Sequence, residues 1–546
     1  MSQKKHLRSV KTRDPLKHPP THSKKTNPSE ASFTQPNLKP SHGLTSEEKE
    51  KWQQLVNTIA DKSQGLWKLF AEKSLSTQPA NGTTVFMPWV MTDTLFKGFA
   101  KLLETPEVLF ASHQQLMQDH ASLNQHFRSA APQEKNLKTE KQGDPSPDLI
   151  QPAPNDRRFK HAEWQENPYF NYIKQSYLLN SQWLEQLTTN IEGLDHKTAQ
   201  KVSFYTKQWL DALAPTNFLM TNPEAIEKTL ETKGENLLQG FANFLGDLER
   251  GKGRLNIPNT NLSFFKIGEN IAATPGKVVF RNDMIELIQY HPQQPTAYEI
   301  PMLIIPPWIN KYYVFDLQQN SFVQYALGQG HTVFILSWVN PDEKYAHKTF
   351  DDYMKEGSLA ALEEVLKRTK APKVNLVGYC LGSILISCTL GYMAAHKDTR
   401  VASATFLATL VDFSDPGEMS VFIDDDQLNA LEKRMSEKGY LDSHTLTESF
   451  RLLRANNLIW NAYISNYFLT KEFAPFDMLF WNADSTRMPP QVHSFYLRNL
   501  YQKNLLVANV KLHLANTPIN LKAVTTPCYF VSTIDDHIAP WHCGFA

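Results

Sequence analysis

The residues best placed to do chemistry lie in one short run, Val374-Asn375-Leu376-Val377-Gly378-Tyr379-Cys380-Leu381-Gly382-Ser383-Ile384-Leu385. Its form is strand, Gly-x-Cys-x-Gly, helix, which is the nucleophile-elbow pattern with cysteine where serine is usual. Glycines at 378 and 382 leave out a Cβ on either side of the nucleophile, so strand and helix can pack closely around a residue held in a strained turn. The pattern predicts Cys380 above a sheet edge at the N-terminus of the following helix, where partial positive charge favours the reactive thiolate.

Two plainer readings compete. Residues Val374–Ala395 contain no charged side chain, so a hydropathy window alone suggests a membrane span. The two glycines, Asn375 and the absence of flanking aromatic or basic anchors point instead to a buried strand followed by a buried helix. A small buried cysteine in an ordinary strand-to-helix turn is the other reading. A lone Gly-x-Cys-x-Gly does not separate the two.

The elements that must position Cys380 follow from periodicity. Val278–Phe280 and Ile285–Tyr290 flank Asn282-Asp283 as a hairpin. Met302–Ile305, ended by Pro306-Pro307, and Thr332–Ser337 read as strands, and Tyr353–Lys370 as a helix with Leu359, Leu362 and Leu366 on one side. Further strands are expected at Val401–Leu407 and Cys528–Ser532. Strands alternating with helices imply a parallel sheet in an α/β domain, residues 270–546. Between Ser414 and about Asn499 lies an insertion rich in aromatics, among them Phe450, Trp460, Tyr463, Tyr467, Phe468, Phe480, Trp481 and Tyr496. An insertion late in such a sheet commonly caps the site.

Residues 46–269 read as a helical domain. Trp52, Leu55, Val56, Ile59, Leu66 and Phe70 recur at helical spacing, as do Tyr169, Phe170, Ile173, Tyr177 and Leu178, and both stripes are expected to be core. A proline-rich polar stretch, 129–156, interrupts this domain as a linker. Residues 1–45 are basic and rich in Pro, Ser and Thr, without the apolar run of a secretory signal, and are expected to be a disordered tail.

Lys+Arg and Asp+Glu are both 56, so the overall balance gives no reason to expect nucleic acid as a partner. The four cysteines, Cys380, Cys388, Cys528 and Cys543, are too few for a disulfide scaffold and lack metal-ligand spacing. No metal is expected, and thiols in a reducing cytosol fit best. Cys388 and Cys528 sit in apolar runs and are expected to be small core residues.

From Asp156 onward the chain resembles the polyhydroxyalkanoate synthases, most closely the class I poly(3-hydroxybutyrate) polymerases. The matching stretches are Asp156-Arg157-Arg158-Phe159, Pro215-Thr216-Asn217-Phe218, Pro306-Pro307-Trp308-Ile309-Asn310-Lys311-Tyr312-Tyr313, Ser337-Trp338-Val339-Asn340-Pro341-Asp342, the elbow itself, and Asp536-His537-Ile538-Ala539-Pro540-Trp541. Residues 1 to about 155 carry little of it. The resemblance implies an α/β-hydrolase-like catalytic domain under an aromatic-rich cap, with Cys380 as the acylated nucleophile and Asp536 as the catalytic aspartate. It further implies an oxyanion hole from the backbone N–H groups of Leu381 and Ile309. Losing one such donor typically costs ~3 kcal/mol. The implied substrate is an (R)-3-hydroxyacyl-CoA thioester, the implied product a polyester chain. A homodimer in the cytoplasm, associated with polyester granules and without cofactor or transmembrane segment, completes the expectation.

One departure bears on activity. The family's catalytic histidine lies in a Gly-His segment beyond the aspartate, whereas this sequence stops at Ala546. The resemblance therefore implies a chain truncated before its general base, impaired as a polymerase, with apolar sheet surface left exposed. His537, inside the Asp-His-Ile motif, reads as structural, and His542 is the other nearby histidine. Ser383 stands where many members carry a third glycine. Two further functions stay open: a cysteine-dependent thioesterase or depolymerase, and a non-catalytic partner that binds granules or an intact synthase subunit.

Overall fold

A computed structural model describes residues 45–75, 88–130, 148–189, 191–508 and 510–544. Apart from Thr45, the expected tail lies outside these residues, as do residues 131–147 of the expected linker. By its contacts the chain divides into Met1–Glu50 and Lys51–Ala546. Everything below concerns the second unit.

Its centre is a seven-stranded sheet built from β1 (Gly276–Arg281), β2 (Ile285–Tyr290), β3 (Met302–Ile305), β4 (Val333–Trp338), β5 (Val374–Tyr379), β6 (Val401–Leu407) and β9 (Cys528–Val531). The intervening β7 (His513–Leu514) and β8 (Thr517–Pro518) form a small separate hairpin. The sheet order is β1-β2-β4-β3-β5-β6-β9. β1, β2 and β4 pair antiparallel, and β4, β3, β5, β6 and β9 pair parallel. The hairpin turns where expected because the Asn282 side chain accepts the N–H groups of Met284 and Ile285, both at 2.9 Å. Parallel strands covered on both faces need apolar side chains on both faces. Leu303, Ile304 and Ile305 on β3 and Val333–Leu336 on β4 are accordingly all buried.

The charge-free stretch divides between β5 and the helix Leu381–Ala395, which is buried on nearly every side. It lies between β5 and the helical turn Tyr353–Leu359, so its uniform apolarity serves a core position. No helix among the described residues is long and apolar enough to cross a membrane. The predicted helix over Tyr353–Lys370 begins slightly earlier, at Phe350, where Thr349 and Asp352 cap each other reciprocally. β9 forms the last strand of the sheet, and all four of its residues are exposed, Tyr529 and Phe530 among them.

Residues 414–499 fold as a chain of helices that runs on to Gln502. The helices His196–Ala212 and Glu235–Arg250 dock onto this insertion, and Pro168–Thr189 packs against His196–Ala212. Arg158 reaches Asp156 at 2.8 Å and Asp211 at 3.3 Å and donates to the Tyr177 hydroxyl at 2.9 Å. Asp211 also accepts from Asn456 of the insertion at 2.7 Å. Asn217 donates to the Asp211 carbonyl at 2.7 Å. Two of the family-like motifs thus have a structural job: they tie the helical region together and to the insertion. Farther along, buried Asp247 accepts from Asn466 at 2.9 Å and from the Tyr467 hydroxyl at 2.7 Å.

Several core expectations do not hold. Cys388 is buried, but Cys528 is exposed because it sits on the edge strand. Tyr169 is exposed although Phe170, Ile173, Tyr177 and Leu178 pack around Phe159 and Trp164. On the first helix Val56 is exposed and Trp52, Leu55 and Ile59 are only half-buried; the side chains of Leu66 and Phe70 lie outside those described.

If Asp247 anchors the insertion, Asp247→Ala leaves Tyr467 and Asn466 without their acceptor inside a buried contact. A loss of about 2–4 kcal/mol is expected, read as a lower urea midpoint. Arg250→Ala, which removes a half-exposed partner of the same carboxylate, should cost less than about 1 kcal/mol.

Candidate active site

β5 ends at Tyr379 and the helix starts at Leu381, which leaves Cys380 as the single residue turning the corner. Its backbone is at φ 51°, ψ −118°, a region that costs a non-glycine residue on the order of 1–3 kcal/mol. Three backbone bonds hold it there. The Cys380 N–H donates to the Leu407 carbonyl at 2.9 Å, and its carbonyl accepts from Ser383 at 3.0 Å and Ile384 at 3.2 Å. The two glycines are steric requirements. A Cβ on Gly378 would stand 2.7 Å from the Ser383 Cα, and one on Gly382 would stand 2.0 Å from the Ile305 carbonyl oxygen.

Close contact at Gly382 brings the loop after β3 directly against the elbow. This loop is the Pro306–Tyr313 motif. The Trp308 ring is buried among Trp338, Phe350 and Tyr353, with ring centroids 5.3 to 6.3 Å away. Trp338 Nε1 donates to the Pro306 carbonyl at 2.9 Å. From the other side, the Thr486 N–H donates to the Ile309 carbonyl at 3.0 Å. Ile309 and Cys380 pack against the same hydrophobic core. The Leu381 N–H acts on the Cys380 sulfur in the direction that favours thiolate.

Asp536 follows β9, and its carboxylate accepts the N–H groups of Ile538 and Ala539, both at 2.9 Å. Its charge acts on the Cys380 thiol, although the two residues are far apart in sequence. The thiol is not poised as a thiolate. Burial, foremost, and the Asp536 charge push it up to about 11, against the opposing hydrogen bond from Leu381. This reverses the expectation drawn from the helix N-terminus. In a crowded, largely apolar setting, loss of hydration outweighs the helix-end potential.

The surroundings of the sulfur include residues that periodicity did not single out. Tyr379, Tyr496 and Tyr501 all interact electrostatically with Cys380, and burial drives each phenol upward. Tyr496 donates to Tyr501 at 3.5 Å, and both rings meet Phe413 edge-on. Aromatic richness marked the insertion containing Tyr496, but nothing in the sequence marked Tyr501 or Phe413. His537 is held below its usual value by burial and is acted on by Arg454, Glu418, Asp536 and Lys207. His542 pairs with Asp415 at 3.4 Å. Among the described residues no group of three or more His, Cys, Asp or Glu could hold a metal ion. A cleft of about 570 Å³ lined by His161, Glu224, Glu235 and Lys471 involves none of the elbow residues.

Comparison with known proteins adds to this geometry. The family described as "Poly-beta-hydroxybutyrate polymerase (PhaC) N-terminus" matches residues 155–326, and the α/β hydrolase fold matches residues 300–542. A poly(3-hydroxyalkanoate) polymerase of Methylorubrum extorquens is 45% identical over 82% of this chain and 73% of its own length. A poly(3-hydroxyalkanoate) polymerase subunit PhaC of Rhizobium meliloti is 45% identical over 71% of this chain and 63% of its own. The corresponding subunit of Cupriavidus necator is 38% identical over 72% and 67%. The chain thus spans less than two thirds of the Rhizobium meliloti relative.

The raised thiol gives a pH prediction. A thiol near 11 leaves only about one molecule in a thousand ionised at pH 8. Iodoacetamide alkylation of Cys380 should therefore rise about tenfold per pH unit from 7 to 10 without a plateau near 8.5. Peptide-resolved mass spectrometry separates it from exposed Cys528. A plateau below pH 8.5 would mean that the thiolate is favoured after all.

Proposed function

The chain belongs to the poly(3-hydroxyalkanoate) polymerase family, and we propose that it extends a polyester held as a thioester on Cys380. The sulfur attacks the carbonyl of an (R)-3-hydroxyacyl-CoA. The tetrahedral oxyanion lies between the N–H groups of Leu381 and Ile309, and collapse expels CoA as a thiolate. Because a thioester is exchanged for a thioester, the acyl enzyme keeps the energy needed for the next ester bond. A second 3-hydroxyl then attacks this carbonyl. The new ester C–O bond forms, the C–S bond breaks and the hydroxyl proton ends on the Cys380 sulfur; the lengthened chain, now the CoA thioester of the second unit, re-acylates Cys380 with release of CoA.

The observation that carries this reading is the strained Cys380 turn with the Asp536 charge bearing on its thiol. A thiol pushed up to about 11 needs a proton acceptor at the moment of attack, and so does the incoming hydroxyl. Asp536 is the acidic group coupled to the sulfur, and its role in this proposal is to assist proton removal, worth typically ~10²–10⁴-fold. The buried phenols and Phe413 restrict water around the thioester, which favours ester formation over hydrolysis. A homodimer acting at the surface of cytoplasmic polyester granules belongs to the same proposal and rests on the resemblance alone.

The test uses purified protein and (R)-3-hydroxybutyryl-CoA, with CoA release, protein mass and polymer followed separately. Mass addition at Cys380 with stoichiometric CoA release is expected, absent in Cys380→Ala. Asp536→Asn should slow turnover by about 10²-fold or more. CoA release with free 3-hydroxy acid and no ester-linked oligomer would identify a thioesterase. No Cys380 adduct under any condition would remove the covalent reading.

A further inference from the structure

We infer that Thr486, in the insertion, is a positioning residue for the oxyanion hole: its hydroxyl and N–H fix the direction in which the Ile309 N–H points. The inference rests on the proposed reading, in which that N–H is one of the two oxyanion donors.

The geometry is that of two consecutive peptide planes. Thr486 is 2% exposed. Its Oγ1 donates to the Trp308 carbonyl at 2.7 Å, and its N–H donates to the Ile309 carbonyl at 3.0 Å. The Trp308 carbonyl and the Ile309 N–H belong to one planar unit, and no peptide among the described residues is cis. In a trans peptide the C=O and N–H point in opposite directions. Drawing the Trp308 carbonyl toward Thr486 therefore turns the Ile309 N–H away from it. The second bond fixes the plane on the other side of Ile309. One residue thus sets both planes around the donor, while the Trp308 side chain is held from beneath by Trp338, Phe350 and Tyr353.

Neighbouring contacts continue the clamp along the loop. Asn310 bridges to Ser485, the Tyr313 hydroxyl donates to Asp484 at 2.8 Å, and Trp481 Nε1 donates to the Lys311 carbonyl at 2.7 Å. Trp481, Asp484, Ser485 and Thr486 of the insertion thus all contact the loop 308–313. The insertion is therefore more than a cover: displacing it would release the loop that carries the donor. Preorganised donors act by being correctly aimed before charge develops, so a misaimed Ile309 N–H weakens the transition state while leaving the nucleophile intact.

That separation provides the test. Acylation of Cys380 by a thioester passes through an oxyanion, whereas alkylation by iodoacetamide is a direct displacement at carbon and forms none. Both rates are measured on the full chain, by single-turnover CoA release from (R)-3-hydroxybutyryl-CoA and by peptide-resolved alkylation of Cys380. Thr486→Val keeps the side-chain shape and the main-chain bond and removes only the hydroxyl. It should slow acylation about 10–100-fold and leave alkylation within about twofold. Thr486→Ser, which keeps the hydroxyl, should restore acylation to within about threefold of wild type. Tyr313→Phe loosens the far end of the same clamp and serves if Thr486→Val does not fold; it should slow acylation by a smaller factor with alkylation unchanged. Wild-type acylation in Thr486→Val, equal loss of both rates, or a serine variant as slow as the valine variant would each overturn the inference. Absence of any Cys380 adduct in the wild type would instead overturn the covalent reading on which it rests.

Discussion

The site depends on one close contact: the first turn of the helix after β5 lies directly against the end of β3, with no room for a Cβ between Gly382 and the Ile305 carbonyl. This contact places the loop after β3 beside the elbow that carries Cys380. It also requires the chain to turn within a single residue, which puts Cys380 at positive φ. Such strain persists only where the surroundings over-determine it. Here they do, because β5 is central in the sheet and the helix behind it is buried almost all round.

Burial has a chemical consequence. The same packing that holds the elbow takes water from the sulfur, so the resting nucleophile is a thiol pushed up to about 11. The reaction chemistry must then include proton removal. In the proposed reaction, fixed dipoles around the sulfur act in a medium of low polarity and count for more than in water.

The insertion and the N-terminal helices extend the site outward. Asp211 with Asn456, Asp247 with Asn466 and Tyr467, and Gln208 with the Leu452 carbonyl link helices from distant parts of the chain. Conserving shape at these joints matters for the chemistry because residues 481–486 of the insertion contact the loop that carries Ile309. The Asp156–Phe159 and Pro215–Phe218 motifs, far from Cys380 in sequence, gain a physical reason here: they hold the helices that hold the insertion.

The sequence by itself determined the main strands and the elbow with Cys380 at its turn, because these depend on local rules. Glycine spacing, alternation of apolar residues and turn residues such as Asn282 act over a few positions and can be read directly. Tertiary structure decided what depends on distant neighbours. Cys528 and Tyr169 lie in apolar stretches as convincing as any core segment, yet one falls on an edge strand and the other on an outward face. Thr486, Tyr501 and Phe413 carry no motif, and only folding brings Thr486 to the Trp308–Ile309 peptide, Tyr501 within electrostatic reach of the thiol, and Phe413 against Tyr496 and Tyr501. The protonation of Cys380 followed the same division. The helix terminus that favours thiolate is visible in sequence, but the desolvation that overrides it comes from groups packed around the sulfur from other parts of the chain.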